Sequence, residues 1–169
     1  MEYIKAFPYD VEAACIHEQT PEFSLIPPKD ILHVNVGSIA IGSIEDRFRS
    51  KGFYLCSGIA IKDPFEQKFG FFHVYPGHEL TDDDIKTLTP LADGSACLIR
   101  GSNSTEKRRL LRELSERLSI IHTDTIAVDT CSTNDKSLCF HVAYRPAANQ
   151  MLVARISHKD VLTYVAFKS

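Results

Sequence analysis

Two side chains in this sequence have types and spacing suited to thiol chemistry: Cys56 and, 17 residues later, His73. A thiol is mostly protonated near neutral pH and becomes a nucleophile when an adjacent imidazole takes its proton. The same imidazole can then protonate a departing amine. Cys56 stands within an apolar run and is followed by Ser57-Gly58, small residues that let a substrate approach the backbone. His73 lies in the run FGFFHVY. From spacing alone the signal is weak. A cysteine in an apolar run is more often a packing residue, and a histidine in such a strand is more often a satisfied core or rim side chain.

The competing candidates are weaker still. His78 follows Pro76-Gly77, beyond the strand that carries His73. Cys131, Cys139 and His141 cluster in sequence, but no fourth ligand has suitable spacing for zinc. Gly101-Ser102-Asn103 precedes a helix and reads as a capping turn before it reads as an anion site. Lys107, Arg108, Arg109 and Arg112 interleave with Glu106, Glu113 and Glu116, the pattern of a solvated helix face. Asp82, Asp83 and Asp84 after Thr81 mark a helix start, where the dipole favours negative charge.

The elements that must position Cys56 and His73 are strands. ILHVNVGSIAI, from Ile31 to Ile41, alternates as a strand with a bulge or kink at Gly37. FYLCSGIAI, from Phe53 to Ile61, is a nearly continuous apolar run of strand length. Asp63-Pro64 makes a turn, and Phe69 to Tyr75 forms the partner strand, so the two runs read as a hairpin that can bring Cys56 and His73 side by side. A short helix follows Thr81 and ends before Pro90. Ala96 to Ile99 is a brief strand. Asn103 to Leu118 is a helix, with a capping box between Asn103 and Glu106 and a stripe of Leu110, Leu111, Leu114 and Leu118. Thr125–Val128, Leu138–Tyr144, Met151–Ile156 and Val161–Phe167 complete the strands. The expected fold class is α+β, layered sheets flanked by helices.

The run Cys56-Ser57-Gly58-Ile59-Ala60-Ile61-Lys62-Asp63-Pro64, followed by Lys68, Gly70, His73 and Pro76, resembles the signature hairpin of the CheD family of protein-glutamine deamidases. The resemblance covers about Ile31 to Ile156 and extends to the catalytic core of cytotoxic-necrotizing-factor type toxins. It implies a CheD-like β-sandwich with Cys56 as nucleophile and His73 as general base. It also implies a hydroxyl residue six positions before the cysteine, here Ser50, that orients the histidine. The backbone N–H groups around Cys56 and Ser57 are then expected to hold the oxyanion. No cofactor or metal is implied. The chain departs from the family immediately before the cysteine, where Tyr54-Leu55 replaces Gly-Ser. Residues 1–30 read as an N-terminal extension without a family counterpart, and residues 31–169 as the catalytic domain. The substrate is expected to be a protein, either a bacterial receptor or, slightly preferred, a host protein met by a secreted effector. The alternative is a CheD-like binding module whose site has decayed.

Bulk properties bound the rest. The chain has 169 residues, 44% hydrophobic and 24% charged, the balance of one globular domain. Its net charge of −3 argues against nucleic acid as the main partner, because phosphate binding needs a basic face. No apolar run approaches the roughly 20 residues that span a bilayer, so membrane insertion is not expected. The start, MEYIKAFPYDVEAAC, has acids and a proline where a signal peptide needs a basic start and an apolar stretch. The expected location is therefore cytoplasmic, with any export into a host cell proceeding without a cleavable signal. The five cysteines are scattered without a CxxC, so most should be reduced.

Overall fold

The computed structural model describes residues 30–53, 55–101, 108–129, 140–155 and 160–168. Within them the strands, in chain order, are β1 (Ile31–His33), β2 (Ile39–Ser43), β3 (Arg47–Phe53), β4 (Ser57–Lys62) and β5 (Lys68–Val74), then β6 (Ser95–Gly101), β7 (His122–Val128), β8 (Phe140–Arg145), β9 (Gln150–Arg155) and β10 (Asp160–Val165). Two α-helices are described, α1 (Asp82–Leu88) and α2 (Arg108–Leu118). The strands form two five-stranded sheets, one in the order β1-β3-β8-β9-β10 and the other in the order β2-β5-β4-β6-β7. Only the β1–β3 and β6–β7 pairs are parallel. The fold is therefore mostly β with some helix, which the α+β expectation accommodates broadly.

Among the described residues the core has two main layers and a small third cluster of Ala143, Leu152 and Ala154. Phe48, Phe53, Phe71, Phe140, Tyr144 and Met151 belong to the cluster that joins the two sheets. On the other face of the second sheet, Ile59, Ile61, Phe72, Val74 and Leu98 pack against Leu88 of α1 and against Leu110, Leu111, Leu114 and Leu118 of α2. Strand alternation sorts each side chain into one layer or the other. The leucine stripe of α2 is buried as its spacing predicts. The capping box expected at Asn103 and Glu106 lies outside the described residues. The cap at Thr81 is complete: its hydroxyl accepts from Asp84 N, and the Asp84 carboxylate accepts from Thr81 N.

Two expected strands divide. The run from Ile31 to Ile41 is two strands in different sheets, because Gly37 takes φ +80 and turns the chain from β1 to β2. The run from Phe53 to Ile61 also divides. Phe53 closes β3 in the first sheet and Ser57 opens β4 in the second, so Cys56 lies in the short crossing between sheets. An apolar run reads as one strand because both pieces are buried, yet each is buried against a different partner. The hairpin itself forms as expected, with β4 and β5 paired from Ser57↔Val74 to Lys62↔Phe69. Asp63 stabilises its turn by accepting from Gln67 N at 2.8 Å. Among the described residues, no helix is long and apolar enough to cross a membrane.

Candidate active site

His73 is fully buried on β5. It shares strand parity with Phe69 and Phe71, so its ring points into the layer between the sheets. Its Nδ1 lies 2.7 Å from Ser50 Oγ, and Ser50 Oγ lies 2.5 Å from the Val34 carbonyl oxygen. A serine hydroxyl has one proton, and a carbonyl can only accept. The Ser50 proton therefore goes to Val34, and Ser50 Oγ accepts from His73 Nδ1–H. In a neutral imidazole this leaves a lone pair on Nε2. Nε2 is buried and makes no hydrogen bond among the described residues. The ring stacks on Phe53 at 4.0 Å between centroids and 11° between planes, and Phe53 stacks in turn on Phe140 at 5.2 Å. Burial lowers the His73 pKa from 6.5 to about 4, so the ring is neutral at physiological pH.

The ladder places His73 opposite Gly58, two residues after Cys56. His73 spends both of its backbone hydrogen bonds on the β2 side, to Gly37 and Ser38. Its pairing with Gly58 is therefore a non-hydrogen-bonded one, in which opposite Cα atoms approach to about 4.5 Å. Gly58 has no side chain to fill that space, and the Phe71 ring lies over it: a Cβ there would meet Phe71 Cζ at 2.5 Å. Cys56 stands one residue ahead of this ladder, and among the described residues no hydrogen bond joins its sulfur to His73 Nε2. Half-buried Cys56 packs against the cluster that contains Phe53 and Phe71, on the same face as His73.

Ser57 points the other way. Its parity matches Ile59 and Ile61, and its buried Oγ has no partner among the described residues. Because Gly58↔His73 is a non-hydrogen-bonded pair, Ser57↔Val74 is a hydrogen-bonded one, and the Ser57 N–H is engaged in the ladder.

The remaining sequence candidates separate from this site. His78 Nε2 lies 3.0 Å from Asp84 Oδ2, and its ring meets Phe72, which belongs to the helix-side layer. It helps to close the start of α1 and stands on the opposite side of the second sheet from His73. Cys97 is buried between the sheets, and burial together with the Asp124 charge pushes its thiol pKa up to about 12, so it is an inert packing residue. Cys131, Cys139, Ser102 and Asn103 lie outside the described residues. His141, the described member of the Cys131–Cys139–His141 group, accepts a hydrogen bond from Gly52 N at 3.1 Å through Nδ1. A cavity of about 540 Å³ adjoins Ser50 and Val34, and His33, Arg49 and Lys51 also line it.

Sequence reasoning missed β3, Phe53 as the ring's stacking partner, and the Val34 carbonyl. RFRSKGF carries no regular alternation, and a backbone acceptor leaves no mark in a sequence.

The chain matches no protein-family model and no curated protein in sequence. Among solved structures it is similar to the C-terminal domain of CNFy from Yersinia pseudotuberculosis, with 11% identity and a TM-score of 0.34. The alignment covers 79% of this chain and 54% of that one, so this chain spans about half the length of its structural neighbour. Nothing about chemistry follows from a likeness at that level.

Proposed function

We propose that the chain is a CheD-like thiol amidohydrolase that converts a glutamine side chain of a protein substrate to glutamate. The observation that supports this is the His73 ring itself. Ser50, itself donating to the Val34 carbonyl, holds its Nδ1–H, Phe53 stacks on its plane, and among the described residues the buried Nε2 has no hydrogen-bond partner, in the layer against which Cys56 packs. A buried acceptor without a donor costs stability, and a general base waiting for a proton accounts for it.

At rest the imidazole is neutral, because burial disfavours the imidazolium. As the sulfur attacks the carboxamide carbon, the thiol proton passes to Nε2. Backbone N–H groups at the approach to β4 are the oxyanion donors of this reading. His73 returns the proton to the departing nitrogen, and ammonia leaves a thioester. Water then gives a proton to Nε2 as its oxygen attacks the thioester. Collapse releases glutamate and restores the thiol with that proton. Ser50 acts as a positioning residue, fixing the tautomer. A host protein met by a secreted effector is the preferred substrate setting.

The test is a one-dalton mass gain at glutamine, with ammonia release, on candidate proteins and glutamine peptides. Turnover is expected for the wild type and absent in Cys56→Ala and His73→Asn. Cys56→Ala should melt within a few degrees of the wild type, because the half-buried sulfur contributes little packing. Unchanged turnover per folded molecule in Cys56→Ala would sink the proposal. A Cys56 that a small alkylating reagent modifies at the same rate in wild type and His73→Asn would point to a binding module instead.

A further inference from the structure

Ser50 and Phe53 both touch His73 although they stand three residues apart on one strand. In a regular strand such residues point to opposite faces. The register explains the exception. Ser50 pairs with Val142 and Phe53 with Phe140, so Lys51 and Gly52 together oppose the single residue His141. This two-against-one arrangement is a β-bulge, and it resets the parity of β3 so that Phe48, Ser50 and Phe53 all face the layer between the sheets. Gly52 carries φ +81, a conformation suited to glycine, and its N–H has left the regular ladder. His141 Nδ1 accepts that N–H at 3.1 Å. The ring opposite the bulge thus supplies the acceptor that the bulge removed.

We propose that His141 is a positioning residue for the thiol site: by holding Gly52 N–H it keeps the β3 bulge in the register that sets Ser50 against Nδ1 and Phe53 against the face of His73. The proposal rests on the reading of Cys56 and His73 as a thiol–imidazole pair. The role needs a bare Nδ1, and therefore a neutral ring. Burial and the Lys51 charge lower the His141 pKa to about 4, which keeps the ring neutral at physiological pH. No contact between His141 and a substrate is required.

Two substitutions of similar size separate positioning from simple packing. His141→Asn places an amide oxygen near the Nδ1 position, whereas His141→Gln places its amide near the Nε2 position. The readout is the rate of Cys56 modification by iodoacetamide at pH 7.5, followed by peptide mass spectrometry, alongside thermal melts of the full chain. His141→Asn should keep the rate within about threefold of the wild type, and His141→Gln should slow it at least tenfold, both with a cooperative melt. Equal rates in the two variants would overturn the proposal, as would loss of the cooperative melt in both, which assigns His141 to stability alone. His73→Asn, run in parallel, separates the two ideas. If it slows modification while the two His141 variants match each other, only the positioning role falls. If it leaves the rate unchanged, the thiol–imidazole pair falls.

Discussion

One serine proton decides the protonation of the candidate base. Because Ser50 donates to the Val34 carbonyl, it can only accept from His73, so His73 is the Nδ1–H tautomer and its Nε2 carries the lone pair. His141 is the opposite tautomer, since its Nδ1 accepts from Gly52 N. Nitrogen NMR on ¹⁵N-histidine protein near pH 7.5 should therefore show two buried neutral rings of different tautomer. Finding both rings in the same form would contradict the geometry. Ser50→Ala removes the acceptor and leaves a buried Nδ1–H unpaired, which should cost about 1–3 kcal/mol in denaturant unfolding and loosen the tautomer preference. Ser50→Thr keeps the hydroxyl and should restore the tautomer. The resemblance to the CheD hairpin implied Ser50, and the structure brings its hydroxyl to His73. Its acceptor, Val34, was legible only as an apolar position in an alternating run.

The β4–β5 hairpin carries His73, and its glycine is as demanding as its polar residues. Gly58 faces His73 across the ladder, and a Cβ there would stand 2.5 Å from Phe71 Cζ and 2.9 Å from Ile99 Cγ2. Both neighbours are fixed in the core, so the crowding cannot be relieved by moving an exposed side-chain end. Gly58→Ala should destabilise by about 1–3 kcal/mol and slow Cys56 modification as Phe71 shifts towards the site. A melting temperature unchanged within a degree would argue against this packing. The hairpin was legible because two apolar runs flank an Asp-Pro turn, and both strands read locally. β3 was not, because its inward set of Phe48, Ser50 and Phe53 obeys no constant period. A bulge erases the alternation by which a strand is recognised.

Across the molecule, two buried imidazoles make stability depend on pH. His73 and His141 both have pKa values near 4, lowered from 6.5 by burial. Between pH 6.5 and about 4 the unfolded chain takes up protons that the folded chain refuses, so stability falls as the pH falls across that window and the loss levels off below it. Each ring is responsible for roughly 3 kcal/mol over the full window. Urea unfolding at pH 7.5 and pH 4.5 should show the loss, and His141→Asn, which cannot titrate, should show a smaller one by most of that amount. An equal loss in variant and wild type would mean that His141 is not held neutral. The sequence by itself determined the features that nearest neighbours control: the hairpin, the leucine stripe of α2, the Thr81 cap and most of the later strands. These follow from periodicity and turn chemistry within a dozen residues. Only the tertiary structure decided which sheet each strand joins, that two apolar runs divide between sheets, and that Ser50, Phe53 and Val34 converge on His73. Those outcomes depend on pairing between residues far apart in the chain, on a bulge set by the opposite strand, and on the layer between sheets that neither sheet forms alone.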